Sequence, residues 1–161
     1  MNVIRRNNGF SLIELIVVIT IINILAGVAI VSFIGLQERA RVGMIIRAGS
    51  NSRAELLLWL QSSLSSRISL REIDTNFDGV INGDDMTNEQ LLNAGVVDTY
   101  INGRNIILKE TSPWLDRPLW NSEAPPPNGT INVTQPSGNQ IKIVAKGKNG
   151  FNIYEQSVST D

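Results

Sequence analysis

The 161-residue sequence contains no cysteine and no histidine. The first absence excludes disulfides and thiol nucleophiles, the second excludes imidazole bases, and together they remove the usual zinc ligands. Proline is missing from the stretch between Gly9 and Pro113, so no proline there forces a helix to stop. Aromatic residues make up only 6%, which makes each a candidate anchor. The charges nearly cancel, with 14 Lys and Arg against 15 Asp and Glu. No basic stripe gathers the cations, so nucleic acid is not a principal partner. No P-loop or serine triad can be assembled, and the chain is read as a non-enzyme.

What the sequence has in excess is one apolar run. Residues 15–36 carry no charge and would extend roughly 33 Å as a helix, enough to cross a bilayer. Its many β-branched residues, Ile16, Val17, Val18 and Ile19 among them, have strand propensity. Lipid obliges backbone polar groups to pair within the segment, however, and uninterrupted length favours a helix. Glu14 opens this run, where an acid costs about 2.5–3.5 kcal/mol and calls for a partner. One alternative is a plain signal anchor whose Glu14 reaches for interfacial water. Another is a removable secretory signal with Arg5-Arg6 as its basic region and Ala26-Gly27-Val28-Ala29 as its small residues. Against it, the apolar core exceeds the usual length of about 7–15 residues and carries an acid. Arg39, Arg41, Arg47 and Arg53 follow the run while only Arg5 and Arg6 precede it, so the positive-inside rule does not by itself fix orientation.

Arg5-Arg6, then Gly9 followed by Phe10, with Glu14 the fifth residue counted from Phe10, resemble the N-terminus of the type IV pilin and type II secretion pseudopilin superfamily. The resemblance is confined to the N-terminal segment. It implies that residues 1–9 are a leader removed after Gly9 by a prepilin peptidase, and that Phe10 becomes the N-methylated first residue. It also implies that Glu14 neutralises the amino terminus of a neighbouring subunit. Physics makes that role intelligible. The new amine would lie four residues, one helical turn, before the carboxylate, and subunits stacked with an axial offset could pair the two in a water-poor core. Two positions depart from the family: Asn23 stands where relatives commonly have Gly, and Val31 where they commonly have Pro. The helix is therefore expected to run unbroken between them. The absence of the disulfide found in many pilins leans toward pseudopilins or metal-stabilised pilins.

From Gln37 to Leu64 the apolar residues thin to a stripe: Val42, Ile45, Ile46, Gly49, Leu56, Leu57, Leu60 and Leu64. Their spacing of three and four, with arginines between, predicts an amphipathic continuation. One helix is thus predicted from Phe10 to Leu64, with 10–36 as transmembrane or filament core and 37–64 as the amphipathic half. Gly43, Gly49 and Ser50-Asn51-Ser52 weaken it locally. Residues 65–161 are read as a globular head.

Within that head, Asp74-Thr75-Asn76-Phe77-Asp78-Gly79-Val80-Ile81-Asn82-Gly83-Asp84-Asp85 fits D-x-[DN]-x-[DN]-G with an acid at the twelfth place. Calcium takes six to eight oxygens, and the spacing offers Asp74, Asn76, Asp78, the Val80 carbonyl, Asn82 and Asp85, with Gly79 at the sharp turn. Ile81 is expected to turn inward. The pattern resembles an EF-hand loop and, with Asp last, dockerin-like repeats more closely. The bland alternative is an ion-free acidic turn. Next, Thr87 and Gln90 form a capping-box pattern, Met86 and Leu91 a staple, and Gly95 a stop, which predicts a helix over 88–94. An EF-hand exit helix would instead start near Asp84, and both starts stay open.

The region 105–158 reads as β, with short runs at 105–109, 130–134, 140–145 and 151–154 separated by turn signals. They predict a small antiparallel sheet packed against the long helix, an α+β, pilin-like head. Ser112-Pro113-Trp114 through Pro118-Leu119-Trp120 is similar to the Pro-Trp-x-x-Pro element of major pseudopilins, with Leu115-Asp116-Arg117 replacing the usual Gly-Asn pair. Trp114 and Trp120 are read as core or subunit-contact anchors. Sequons at Asn128 and Asn132 are of a kind that arises by chance.

The reading that follows is a structural subunit, a pilin or major-pseudopilin-like protein, polymerised from the inner membrane into a helical type IV pilus-like filament or a type II secretion pseudopilus. Its implied partners are copies of itself, minor pilins or pseudopilins, the prepilin peptidase, and the assembly platform with its ATPase. It would be single-pass in the inner membrane, then periplasmic or on the cell surface. Pilus and pseudopilus are not separated by these residues. The alternative is a membrane-tethered, calcium-dependent recognition or adhesion module.

Overall fold

The structure, a computed structural model, describes residues 9–160. The basic pair Arg5-Arg6 and the leader up to Asn8 lie outside the described residues.

Helix α1 runs without interruption from Leu12 to Ser63. With no proline to remove a donor, it stays regular from Asn23 to Val31. It also continues through Ser50-Asn51-Ser52, so the local weakness there produces no break. Gly49 has a packing reason: a Cβ at that position would sit 3.0 Å from the Tyr154 ring. The chain divides into two units, one ending at Ala40 and one beginning at Arg41. In the first, α1 holds one stretch long and apolar enough to cross a membrane, none of it buried.

In the second unit, α1 buries Ile45, Gly49, Ser52, Leu56, Trp59 and Leu60, a stripe at intervals of three and four that supplies one side of the core. Two short helices follow, α2 (Asn88–Ala94) and α3 (Val96–Asn102), and α3 runs directly into a π turn over Gly103–Ile107. The sheet has the order β1-β2-β3-β4, with β1 Trp120–Asn121, β2 Ile131–Ser137, β3 Gln140–Lys146 and β4 Asn152–Ser159. Ile131, Val133, Ile141, Ile143 and Ala145 from β2 and β3 are fully buried, and Tyr100 and Trp120 join them. Tyr100 meets Trp59 and Trp120 edge to face, at 5.4 and 5.5 Å between ring centroids, a favoured aromatic geometry.

The α+β architecture is the one anticipated, and two details differ. The sheet is mixed. β2, β3 and β4 are antiparallel, but β1 pairs parallel to β2 through Trp120↔Ile131 and Asn121↔Asn132. The segment between them is long enough to return the chain to the same end, as a parallel pair requires. Secondly, residues 105–109 form no strand, so the β-region begins at Trp120 and not at 105. The β-branched Ile106 and Ile107 lie in the π turn, Ile106 being 68% exposed. What holds this segment to the sheet is a side chain. The Asn105 amide donates to the Trp120 carbonyl (2.7 Å) and its oxygen accepts the Trp120 N–H (3.2 Å), imitating a strand neighbour. The helix expected over 88–94 is present as α2, and of its two possible starts the structure takes Asn88 and not Asp84, because Thr87 closes the capping box with Gln90 and satisfies the first free N–H groups.

Candidate functional site

The start of α1 is fixed by a second capping box. Ser11 N–H donates to Glu14 Oε2 (2.9 Å) and Glu14 N–H donates to Ser11 Oγ (3.3 Å), so the acid sits at the third helical position and neutralises a free amide. The other carboxylate oxygen has no partner among the described residues. Gly9 and Phe10 precede the helix in irregular, exposed backbone, with Phe10 83% exposed. Phe10, Ile13, Glu14, Val17 and Val18 outline a shallow apolar dent on the helix surface. One chain thus presents an acid, an adjoining apolar surface, and an exposed Gly9–Phe10 junction. Ser11-x-x-Glu14 is a legible capping motif that a purely membrane-based reading of Glu14 passes over.

The loop 74–85 is wound by its own acids. Asp74 accepts the N–H groups of Asp78 (3.2 Å) and Gly79 (2.8 Å). Asn76 accepts the Asp78 N–H and donates to Asp78 Oδ2 (3.1 Å), and Asp78 Oδ1 accepts the Val80 N–H (2.8 Å). Gly79 takes φ +88°, a conformation that disfavours any side chain. Asn82 Oδ1 accepts the Asp84 N–H (2.7 Å). Asp85 is only 3% exposed and closes the loop from inside, accepting N–H groups of Thr75 (2.7 Å) and Asn82 (2.9 Å). Burial pushes the Asp85 carboxyl up, but the N–H groups of Asn82, Thr75 and Asn76 outweigh it and hold the group below the usual carboxylate range.

Hydrogen bonds thus link Asp74, Asn76 and Asp78, and the buried Asp85 is tied to the same loop through the N–H groups of Asn76 and Asn82. Among the described residues no three acids, histidines or cysteines gather into a group that could hold a metal. The donor set is nonetheless all oxygen, of the kind a hard divalent cation takes. Ile81 is not the inward anchor, since it is 52% exposed. That task falls to Phe77, which adopts φ +57° and places its ring 5.7 Å from Trp59 and 6.4 Å from Tyr100. It shares the loop with Val80 and Ile81, and the motif alone does not mark which of the three faces in.

Beneath Phe77 lies a cluster that no local sequence pattern reveals. The Arg104 guanidinium pairs with Glu55 and with Glu110 (3.0 Å), and its Nε donates to the Tyr100 hydroxyl (3.1 Å). The hydroxyl in turn donates to Glu55 (2.7 Å), and the Trp120 indole N–H donates to Glu110. The cation also lies over the rings of Tyr100 (5.0 Å) and Trp120 (5.6 Å). Burial alone would lower the Arg104 pKa, but Tyr100, Glu55 and Glu110 raise it above its ordinary value. Tyr100 is also raised, by burial first and by its bond to Glu55 second. A permanently charged cation locked between two acids has no proton to offer at neutral pH. The cluster is a clasp joining α1, α3, the π turn and β1.

Residues 4–30 match the family model of the prokaryotic N-terminal methylation motif, so the N-terminal segment is similar to that of prepilins. No curated protein and no solved structure matches the chain.

Proposed function

We propose that this protein is a structural subunit of a pilin or pseudopilin filament. It would be cleaved after Gly9, methylated on Phe10, held in the inner membrane by α1, and polymerised. The observation that carries the reading is the conjunction of a methylation motif over residues 4–30 with a helix whose apolar side chains from Leu12 to Leu36 all remain exposed. Burying each such side chain is worth about 1.5–3 kcal/mol, and lipid followed by neighbouring copies would supply that burial. Glu14 fits the arrangement because one oxygen caps its own helix while the other is left for the methylated amine of the next subunit. Prepilin peptidase, an assembly platform with its ATPase, and minor pilins or pseudopilins are the partners this implies. The finished filament would be a periplasmic pseudopilus or a surface pilus.

We further propose that loop 74–85 takes calcium through Asp74, Asn76, Asp78, the Val80 carbonyl, Asn82 and Asp85. The ion would supply the cross-link that a cysteine-free exported domain lacks.

Sequencing and weighing the native protein tests the first reading. A methylated Phe10 as first residue, with Glu14→Ala leaving monomers in the membrane and no filaments, supports it. A native protein that begins at Met1, or that has lost residues 10–36, overturns it.

A further inference from the structure

Within the second unit, α1 carries two stripes. One is the core stripe from Ile45 to Ser63. On the opposite side, Met44, Arg47, Asn51, Ala54, Leu58 and Gln61 recur at three, four, three, four and three residues, and all six are exposed. At about 100° per residue such spacing forms a continuous ridge, and this one alternates apolar side chains with a cation. Met44 and Leu58 are more than half exposed, and Arg53 flanks the ridge. Neither Arg47 nor Arg53 has an ion-pair partner among the described residues.

The acidic loop has the inverse character. Val80 and Ile81 project at its tip, 59% and 52% exposed, followed by Asp84 and Glu89, which are exposed as well. The carboxylates of these two acids have no partner among the described residues. Each surface offers the other an apolar contact and a charge of opposite sign, and neither finds an ion-pair complement among the described residues of its own chain.

We propose that the outer stripe of α1 in one copy docks against the loop of a second copy. Val80 and Ile81 would sit on Ala54 and Leu58, one turn apart on the ridge, and Asp84 and Glu89 would face Arg47 and Arg53. Apolar burial supplies the attraction, and the opposed charges set the register and reject slipped pairings. The inference deepens the filament reading by naming a head contact, and it rests on that reading for the presence of a second copy.

A chain without cysteine makes the test direct. Full-length Ala54→Cys and Ile81→Cys copies, expressed together in the native membrane and mildly oxidised, should give a mixed disulfide dimer. Arg47→Glu in the first copy, or Asp84→Arg in the second, should reduce that dimer about tenfold by opposing like charges. Combining the two exchanges should restore it, which also shows that the variants fold. A yield no higher than that of Ala54→Cys with the exposed Ser137→Cys, or one indifferent to charge reversal, overturns the proposal. The two readings fail separately. If the dimer forms while the native protein begins at Met1 and makes no filaments, the filament reading falls and the contact stands. If Glu14→Ala abolishes filaments and the dimer never forms, the contact falls and the filament reading stands.

Discussion

Gly103 lies directly against the ring of Phe77, so closely that a Cβ on the glycine would fall 1.9 Å from Phe77 Cε2. The acidic loop and the end of α3 are therefore latched by one aromatic ring seated on a residue without a side chain. The Gly103 backbone is ordinary right-handed helix, at φ −60°, so only space forbids a larger residue. Gly103→Ala is expected to destabilise the domain by about 1–3 kcal/mol through overpacking. Gly43→Ala, in open space on α1, should be neutral or stabilising by up to about 1 kcal/mol. Thermal melts of the two variants against the parent check both signs.

Removing Arg104 leaves Glu55, bonded to the buried Tyr100 hydroxyl, and Glu110, bonded to the Trp120 indole, without their cation. Since the acids are partly exposed, at 45% and 31%, the cost should fall below the 3–5 kcal/mol of a fully buried pair, at about 1–3 kcal/mol for Arg104→Ala. Arg104→Lys should recover only part of it, because a single ammonium cannot fork to two carboxylates while stacking on Tyr100 and Trp120. Denaturant midpoints of the two variants distinguish a forked cation from a point charge.

Calcium should raise the melting temperature of the parent, by the equivalent of about 2.7 kcal/mol once its concentration reaches a hundred times Kd. Chelator should reverse the gain, and Asp78→Ala should abolish it. A parent indifferent to both calcium and chelator would mean that the loop is an ion-free turn held by its own hydrogen bonds.

Tyr100 gives a handle at alkaline pH. Its pKa in the folded chain is raised, by burial first and by its bond to Glu55 second, above an unfolded value of about 10. A raised pKa favours the protonated phenol, so the stability it contributes is complete below pH about 10 and is lost as pH climbs toward the folded value. Spectrophotometric titration should show Tyr100 un-ionised until the domain unfolds, and that component should vanish in Tyr100→Phe. Free ionisation of Tyr100 near pH 10 in the native fold would contradict the burial described.

What the sequence made legible is what is encoded locally. The Thr87–Gln90 box and the stop at Gly95 fixed α2, because capping partners lie three residues apart. The turn signals Pro136-Ser137-Gly138-Asn139 and Gly147-Lys148-Asn149-Gly150 located the β2–β3 and β3–β4 hairpins, although β2 itself runs on through Ser137. The Arg104 clasp was out of reach because its members are separated by 49, 6 and 4 positions in the chain and only tertiary folding brings them together. Ile106 and Ile107 misled because their strand propensity is weak beside the continuity of α3, which carries the chain on in helical form. The loop motif located the acids but not the anchor. Nothing in D-x-N-x-D-G says which apolar residue faces in, and Phe77 took the place expected of Ile81.

Among the described residues, no side chain before Ile45 enters the hydrophobic core. Under the filament reading, the earlier part of α1 answers to lipid and to other copies, and the later part to packing inside its own chain. Substitutions before Ile45 should then register in membrane retention or assembly, and those after it in the melting of the folded domain.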